Sequence, residues 1–171
     1  MNFFEKNIAR TRTENRNEYF CSYVYEYKCN MFRLAKSILH NDTDAEDAVS
    51  EAILKAYENL PALRNIKSLK PWFIKILLNE SYALSIRRKK VVFLNEMEIA
   101  DEAAINDNKE LWNIVNGLDD EFRTVTILYY YEDLSLKEIC KVLDLPTGTV
   151  KSRLSRARNK LKQILIDQGS G

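Results

Sequence analysis

The sequence predicts an all-α fold made of two small helical modules. Apolar residues recur at spacings of three and four through most of the 171 residues, which is the period of an amphipathic helix. Only four glycines and three prolines occur, and 30% of the residues are charged, a composition typical of helical chains. An acidic stretch with no basic residue, 91–108, separates the helical parts. We therefore expect a first module over 1–90, a flexible acidic linker, and a second module over 109–168.

Composition excludes several classes of protein. Hydrophobic residues make up 46% of the chain, which is enough for globular cores. The net charge is only +1, so a uniformly basic coat for nucleic acid is not indicated. No apolar run reaches the roughly 18 residues needed to span a bilayer. The first ten residues lack the apolar core of a signal peptide, and we expect a cytoplasmic protein.

The cysteines do not predict a disulfide framework or a metal site. Cys21, Cys29 and Cys140 are odd in number and form no C-x-x-C pair, which favours a reducing compartment. Together with the lone His40 they could in principle bind zinc, but their spacing favours inert thiols. No cofactor is expected.

The first module begins with a predicted helical hairpin. A long amphipathic helix extends from Glu18 to Leu39, and the acidic tract 40–47 ends it. Thr43 and Glu46 stand in capping-box register for the next helix, and the acids suit the positive end of its dipole. Pro61 ends this second helix.

A third helix is predicted from about Pro71, because proline is favoured in a first helical turn. Its apolar residues Trp72, Phe73, Ile76 and Leu77 can face the hairpin. The helix finishes in four consecutive cations, 87–90, which suit the negative end of the helix dipole.

The second module opens with two helices. The first begins near Lys109 and ends at Gly117, with one apolar face. Asp119 or Asp120 can cap the next helix, whose apolar residues are Phe122, Val125, Leu128 and Tyr129. These helices are expected to form a platform for the segment that follows, and Trp112 is assigned to the core.

Residues 135–162 predict two helices joined by a tight turn. Ser135 and Glu138 form a capping box, and Pro146 and Gly148 interrupt the helical pattern. An apolar stripe then resumes at Val150, Leu154, Ala157 and Leu161. The remaining faces of this last helix are basic and carry Lys151, Arg153, Arg156, Arg158, Lys160 and Lys162. A solvated basic helix is the plain alternative, but the capping box, turn and one-signed face together favour a DNA-binding helix-turn-helix.

The segment 134–161 resembles region 4 of bacterial sigma factors of the extracytoplasmic-function (ECF) class. The resemblance rests on L-S-x-x-E-I-C and on P-T-G-T-V-K-S-R-L-S-R-A-R-N-K-L, with Cys140 in place of the usual alanine. It implies contact with the −35 promoter element through Lys151, Ser152, Ser155 and Arg156. By their chemistry we assign phosphate contacts to Arg153, Arg158 and Lys160.

The first module resembles sigma region 2. The resemblance rests on D-A-E-D-A-V-S-E from position 44 and on Trp72, Ile76, Asn79, Arg87 and Arg88. Ser50 replaces the family's usual Gln at a polymerase contact, and Ala83 replaces its usual Asp at a −10 contact. The resemblance therefore does not imply these two contacts for this chain. The resemblance implies that the loop 65–70 captures bases of the −10 element. The expected −10 contacts are Lys67, Ser68, Lys70, Lys75, Asn79, Arg87 and Arg88.

Partners also follow from the resemblance. It implies binding to core RNA polymerase, through the clamp helices of the largest subunit and the flap of the second subunit, binding to promoter DNA, and control by an anti-sigma factor. The residues implied at the clamp helices are Asp44, Glu46, Asp47 and Glu51. The linker acids are expected to stand in for RNA in a polymerase channel, unless they only solvate the linker. These acids are Glu96, Glu98, Asp101, Glu102 and Asp107.

No pattern in the chain indicates catalysis. Nucleotide-binding and hydrolase motifs are absent from the sequence, and the acidic tracts 42–47 and 119–121 lie at predicted helix starts, where capping explains them. Two alternatives to a sigma factor stay open, a stand-alone helix-turn-helix regulator and an adaptor helical bundle. The region 2 resemblance argues against the first. The terminal Gly-Ser-Gly, 169–171, is typical of an appended tail.

Overall fold

A computed structural model describes residues 3–92 and 109–169, with side chains for 15–88 and 111–167. Every regular element in these ranges is helical, which confirms the all-α prediction. Two short 3₁₀ turns, Leu60–Ala62 and Ile66–Ser68, lie between the second and third helices. The seven α-helices are α1 Phe3–Leu39, α2 Asp42–Asn59, α3 Leu69–Val92, α4 Lys109–Asn116, α5 Asp120–Tyr130, α6 Leu136–Leu143 and α7 Thr147–Gly169.

The first module is a bundle of α1, α2 and α3. Phe20 of α1 and Phe73 of α3 are both fully buried, and their ring centroids lie 6.3 Å apart. Leu77 is buried as the sequence predicts, whereas Trp72 is half-buried at the edge of the core. Ile74 is also buried, although it lies outside the predicted apolar face. The reason is that α3 packs against α1 and α2 and also against α6, so it buries more of its circumference than one stripe.

Two predictions in the first module are wrong in detail. The α1 helix begins at Phe3 rather than Glu18, because neither glycine nor proline interrupts the preceding residues. The N-cap of α2 is Asn41 rather than Thr43. Asn41 is extended, at φ −142°, and its side chain accepts from the Asp44 amide at 2.9 Å. His40 before it adopts a left-handed φ of 53°, so the chain has already turned when Thr43 is reached.

The second module is built from α4 to α7. Residues 122–128 of α5 are all buried, so this short helix is the centre of the module. Gly117 follows α4 as predicted, and Asp119 is the N-cap residue of α5. The Asp119 carboxylate makes no capping hydrogen bond and instead pairs with Lys160. The last helix starts at Thr147, so Gly148 lies inside its first turn rather than in the preceding loop.

The two modules pack against each other. Helix α6 lies on α3, and α5 lies on α1. One cluster of buried side chains runs through both modules, including Leu34 and Phe73 on one side and Val125 and Ile139 on the other. The predicted linker acids lie outside the described residues, because the structure describes nothing between Val92 and Lys109. The domain boundaries at 90 and 108 stay a prediction.

Candidate nucleic-acid interface

The turn between α6 and α7 is held by a predicted capping box and by a left-handed residue. The Ser135 hydroxyl accepts from the Glu138 amide at 3.3 Å, and the Glu138 carboxylate accepts from the Ser135 amide at 2.9 Å. The Ser135 hydroxyl also donates to the Glu138 carboxylate at 2.5 Å, and this hydrogen bond, together with the one from the Ser135 amide, lowers the pKa of Glu138. Asp144 ends α6 at φ 52°, and the Leu145 amide then donates to the Cys140 carbonyl at 3.0 Å. The capping box is therefore confirmed.

One face of α7 is buried and the other is open. Val150, Leu154 and Ala157 are at most 2% exposed, as the apolar stripe predicts. The four side chains assigned to the −35 element are all exposed and lie in the first half of the helix. They are Lys151, Ser152, Ser155 and Arg156. Burial of the stripe thus fixes the rotation of α7 so that its N-terminal half presents donors to solvent, which is the geometry that reads a major groove.

The three cations assigned to phosphates have partners within the second module. Arg153 pairs with Glu121 at 2.8 Å, and Lys160 pairs with Asp119. This pairing lowers the pKa of Asp119, chiefly through the hydrogen bond from Lys160. Arg158 donates from Nε to the Tyr130 hydroxyl at 2.8 Å and its guanidinium also lies 5.9 Å from that ring. A phosphate would have to compete with these contacts.

The side chains assigned to the −10 element do not form one open surface. Lys67 and Ser68 are exposed in the second 3₁₀ turn, which Asn65 caps by accepting from the Lys67 amide at 3.0 Å. Asn79 and Arg87 are exposed along α3. The remaining three cations are engaged by carboxylates. The pairs are Lys70 with Glu132, Lys75 with Asp144, and Arg88 with Asp44.

The acids assigned to polymerase binding fall into two groups. Glu46, Asp47 and Glu51 are exposed on α2. Asp44 differs, since it is only 4% exposed and its carboxylate pairs with Arg88 of α3. Its position in the first turn of α2 also suits the positive end of the helix dipole. Asp44 therefore joins α2 to α3, and only the other three of the four assigned acids lie on the exposed surface of α2.

Comparison with known proteins identifies the family. The family model described as Sigma-70 region 2 matches residues 24–91, and the model described as Sigma-70, region 4 matches residues 108–161. The RNA polymerase sigma factor SigV of Bacillus subtilis is 33% identical over 147 residues, which cover 84% of this chain and 88% of SigV. The ECF RNA polymerase sigma factor SigW of the same organism is 31% identical over 170 residues, covering 86% and 89%. The chain belongs to the ECF class of RNA polymerase sigma factors.

Solved structures agree with this assignment of the ECF sigma factor. The structure of the sigma factor RpoE in complex with the anti-sigma factor NepR, from Bartonella quintana, matches with a TM-score of 0.75 and 26% identity. The match covers 85% of this chain and 96% of RpoE. CnrH, solved in complex with the cytosolic domain of CnrY, has the same fold with a TM-score of 0.65 at 21% identity. The two-module helical fold is therefore that of known sigma factors.

Sequence reasoning missed two charged residues of this ECF sigma factor that lie between the modules. Arg123 is 5% exposed and donates to the Ser37 carbonyl at 2.9 Å and to His40 Nε2 at 2.8 Å. Glu132 is also 5% exposed and faces Lys70. An arginine among Phe122, Val125, Ile127 and Leu128 was the available signal, because a buried charge requires polar partners. Its carboxylate partner Asp120 lies on the same helix, whereas Ser37 and His40 come from the first module.

The described residues contain no group of three or more His, Cys, Asp or Glu side chains placed to hold a metal ion. Cys21 and Cys29 are exposed on α1, and Cys140 is half-buried on α6. Among the described helices of this ECF sigma factor, none is long and apolar enough to cross a membrane.

Proposed function

We propose that this ECF sigma factor binds core RNA polymerase and directs it to promoters by reading their −10 and −35 elements. The observation that carries the proposal is the open face of α7, where four polar side chains project from a helix whose opposite face is buried. The two family matches support it, since one chain combines regions 2 and 4. A stand-alone helix-turn-helix regulator would need only region 4.

On the −35 side, α7 enters the major groove with Lys151, Ser152, Ser155 and Arg156 at base edges. An arginine can donate two hydrogen bonds to guanine O6 and N7, and such a pair contributes about 1–3 kcal/mol of base discrimination. Arg153, Arg158 and Lys160 bind phosphates, which set position rather than sequence. Each exchanges a partner inside the module for a phosphate oxygen.

On the −10 side, the protein captures bases that have left the duplex. The sequence contains no nucleotide-binding loop, so strand opening is coupled to binding rather than to hydrolysis. The exposed Lys67 and Ser68 belong to the capturing loop. Lys70, Lys75, Asn79, Arg87 and Arg88 line the path of the captured strand along α3.

Polymerase binding uses the acidic surface of α2. Glu46, Asp47 and Glu51 face the clamp helices of the largest subunit, and Asp44 supports this surface from inside through Arg88. The second module contacts the flap of the second subunit. The acids between residues 93 and 108 occupy a polymerase channel as a substitute for RNA, and replacing all five should weaken polymerase binding or initial transcription.

Regulation, location and the lack of catalysis belong to the same proposal. RpoE, which shares 26% identity with this chain, was solved with an anti-sigma factor, and we propose that an anti-sigma factor controls this chain too. The protein works in the cytoplasm, where polymerase and promoter DNA are found. It acts by binding and not as an enzyme.

The test is co-elution of the purified chain with bacterial core RNA polymerase on a sizing column, followed by transcription in vitro from a library of promoter fragments. A stable complex that initiates from a subset of fragments is the expected result. Binding to specific duplex DNA without any polymerase complex would contradict the proposal and favour the regulator. Neither polymerase nor DNA binding would favour the adaptor bundle.

A further inference from the structure

Helix α1 carries a row of side chains, four residues apart, on its solvent-facing side. Cys21, Tyr25 and Cys29 are all exposed, and Tyr25 is 77% exposed. Asn17 and Arg33 continue the row at its two ends. Residues four apart share one face of a helix and form a ridge that is inclined to the helix axis by about 26°. These five residues are named the Tyr25 ridge below.

The centre of the Tyr25 ridge contains no Asp, Glu, Lys or Arg, although charged residues lie beside it. Glu18, Glu26 and Lys28 are exposed on α1, and the Lys28 ammonium lies 5.1 Å from the centre of the Tyr25 ring. The other side of α1 packs on α2, α3 and α5. An exposed aromatic ring between two small side chains can therefore pack against a second protein surface without bringing like charges together.

The two thiols of the ridge cannot join within one chain. Cα atoms eight residues apart in a helix are about 12 Å apart, whereas a disulfide needs Cα atoms about 4.4–6.8 Å apart. Cys140 lies on α6 in the second module, and its thiol donates to the Thr147 hydroxyl at 3.6 Å. A disulfide at Cys21 or Cys29 therefore needs a thiol from a second molecule.

The Tyr25 ridge is complementary to itself when two copies cross in opposite directions. A two-fold axis beside Tyr25 places this residue against its own copy, and Cys21 of each copy against Cys29 of the other. Two such ridges run parallel when the helices cross at about −50°, which is a common packing angle.

The ends of the ridge are complementary as well. The same axis brings Arg33 of each copy to Asn17 of the other. The Asn17 amide nitrogen lies 3.4 Å from the Tyr57 hydroxyl, to which it donates, so its carbonyl oxygen can accept from the guanidinium. The two arginines lie at opposite ends of the contact and do not repel each other.

We propose that two copies of this chain pair through the Tyr25 ridge and that two Cys21–Cys29 disulfides join them in the presence of a hydroperoxide. One pair of crossing helices buries less than the roughly 1,000 Å² of a stable interface, so the reduced chains meet only transiently and the disulfides hold the pair. Pairing in this way does not require the proposed promoter function.

The chemistry is complete with hydrogen peroxide as the oxidant. One thiol sulfur takes an oxygen from the peroxide and becomes a sulfenic acid, and the thiol proton leaves with the other oxygen as water. The facing thiol then attacks this sulfur, the S–S bond forms, and a second water leaves. Each disulfide therefore consumes one peroxide and two thiols and releases two waters.

The test uses complementary single-cysteine ridges in the full chain. Cys21→Ser and Cys29→Ser are each made with Cys140→Ala, which introduces the family's usual residue at position 140. Each variant keeps one ridge thiol, and like thiols lie about 12 Å apart across the two-fold axis. The variants are oxidised with hydrogen peroxide, separately and as a mixture, and disulfide-linked dimers are measured on non-reducing gels.

We expect the mixture to form dimers about tenfold faster or more than either variant alone, because only the mixture places two thiols within disulfide distance. In the dimer of the natural chain, tryptic peptide 17–28 should be linked to peptide 29–33. Tyr25→Glu should slow dimer formation, since two carboxylates then meet at the axis. Tyr19→Glu is the matched control, because Tyr19 is 52% exposed on the same helix but lies off the ridge.

Labelling with a small maleimide should proceed at the same rate in Tyr25→Glu, Tyr19→Glu and the natural chain, because the substitutions leave the thiols exposed. Equal rates of dimer formation for the mixture and the separate variants would overturn the proposal. Links between like cysteines in the natural dimer would overturn it as well. Equal slowing by the two glutamates would assign the effect to general charge repulsion and would also contradict pairing through the ridge.

Discussion

Arg156 and Lys160 differ in their surroundings although both are exposed on α7. The guanidinium of Arg156 lies on the open face of the first half of the helix. The ammonium of Lys160 pairs with Asp119 and lies 4.9 Å from the centre of the Phe122 ring. A cation already bound to its own module gains less from a base than an open one. This contrast supports the proposal that Arg156 reads a base and that Lys160 binds a phosphate.

Arg156→Ala should lower affinity for the preferred −35 duplex by about 1–3 kcal/mol and remove the preference at one base pair, because a bidentate contact is lost. Binding to a randomised −35 duplex library, followed by sequencing of the bound fraction, measures both effects. Lys160→Ala is the control and should weaken all sequences alike. An equal loss on preferred and scrambled duplexes from Arg156→Ala would contradict the assignment.

His40 is a second residue whose role depends on its neighbours. Burial lowers the pKa of His40, and the positive charge of Arg123 lowers it further, while Asp120 has a smaller opposite effect. The neutral ring accepts the hydrogen bond from Arg123, whereas a protonated ring would repel it. The pKa of His40 is thus lower in the folded chain than in the unfolded chain. The contribution of neutral His40 to the free energy of unfolding is therefore complete above the unfolded pKa, and it is lost as the pH falls through the folded pKa.

The free energy of unfolding should therefore fall as the pH is lowered from about 7 toward 5, the range in which unfolded histidine gains its proton. His40→Asn is the matched variant, because asparagine tolerates the left-handed φ of 53° and does not titrate. Urea unfolding at a series of pH values should show a smaller fall for the variant. The same pH dependence in both proteins would assign the effect to other groups.

At the scale of elements, α6 depends on its ends more than on its length. It has only eight residues, and helices this short are marginal without capping or packing. The capping box satisfies its first amides, Ile139 and Val142 pack inward, and Asp144 turns the chain toward α7. Removing the cap should loosen the turn that sets the angle of the recognition helix.

Ser135→Ala should cost about 1 kcal/mol of stability and lower the melting temperature by about 2–4 °C for a chain of this size. The difference in melting temperature between the variant and the natural chain should become smaller in acid. The hydrogen bonds from Ser135 lower the pKa of Glu138 in the folded chain. The stabilisation that they provide is therefore present above the unfolded pKa of Glu138 and is lost as the pH falls through the folded pKa. Ser22→Ala, on the exposed surface of α1, is the control and should leave the melting temperature nearly unchanged.

At the scale of the whole molecule, the continuous core and the buried Arg123 make the two modules one folding unit. Arg123 lies inside α5 but satisfies a carbonyl near the end of α1. The buried cluster extends without a break from α1 to α7. Unfolding of the first module therefore exposes apolar surface of the second and removes the Ser37 and His40 acceptors of Arg123, which couples the stabilities of the two modules.

Arg123→Met should weaken the coupling of the modules without dividing the shared core, because methionine keeps the apolar stem but cannot donate to Ser37 or His40. We expect a loss of about 1–3 kcal/mol, the cost of leaving a buried acceptor unpaired. Scanning calorimetry should show one transition for the natural chain and one for the variant, at a lower temperature in the variant. Arg64→Met, at an exposed loop position, is the control, and one unchanged transition in both variants would contradict the coupling.

The amino-acid sequence by itself determined the helices, the capping box and the open face of α7. Apolar spacing, Ser135 with Glu138, and the glycine and proline positions act over a few residues, so they are readable without a fold. Local reasoning still erred at Thr43, where Asn41 provides the cap. Asn41 and Thr43 can both cap a helix. Asn41 is the cap because the turn at His40 leaves it extended, and the sequence pattern does not reveal that turn.

Only the tertiary structure decided which charges of the two modules meet. Arg123 and Ser37 are 86 positions apart, and Lys75 and Asp144 are 69 apart. No local pattern relates such residues, because their contact depends on how helices already formed are oriented against one another. The sequence therefore identified Lys70 and Lys75 as candidate DNA contacts, and the packing of α5 and α6 on the first module placed carboxylates against them.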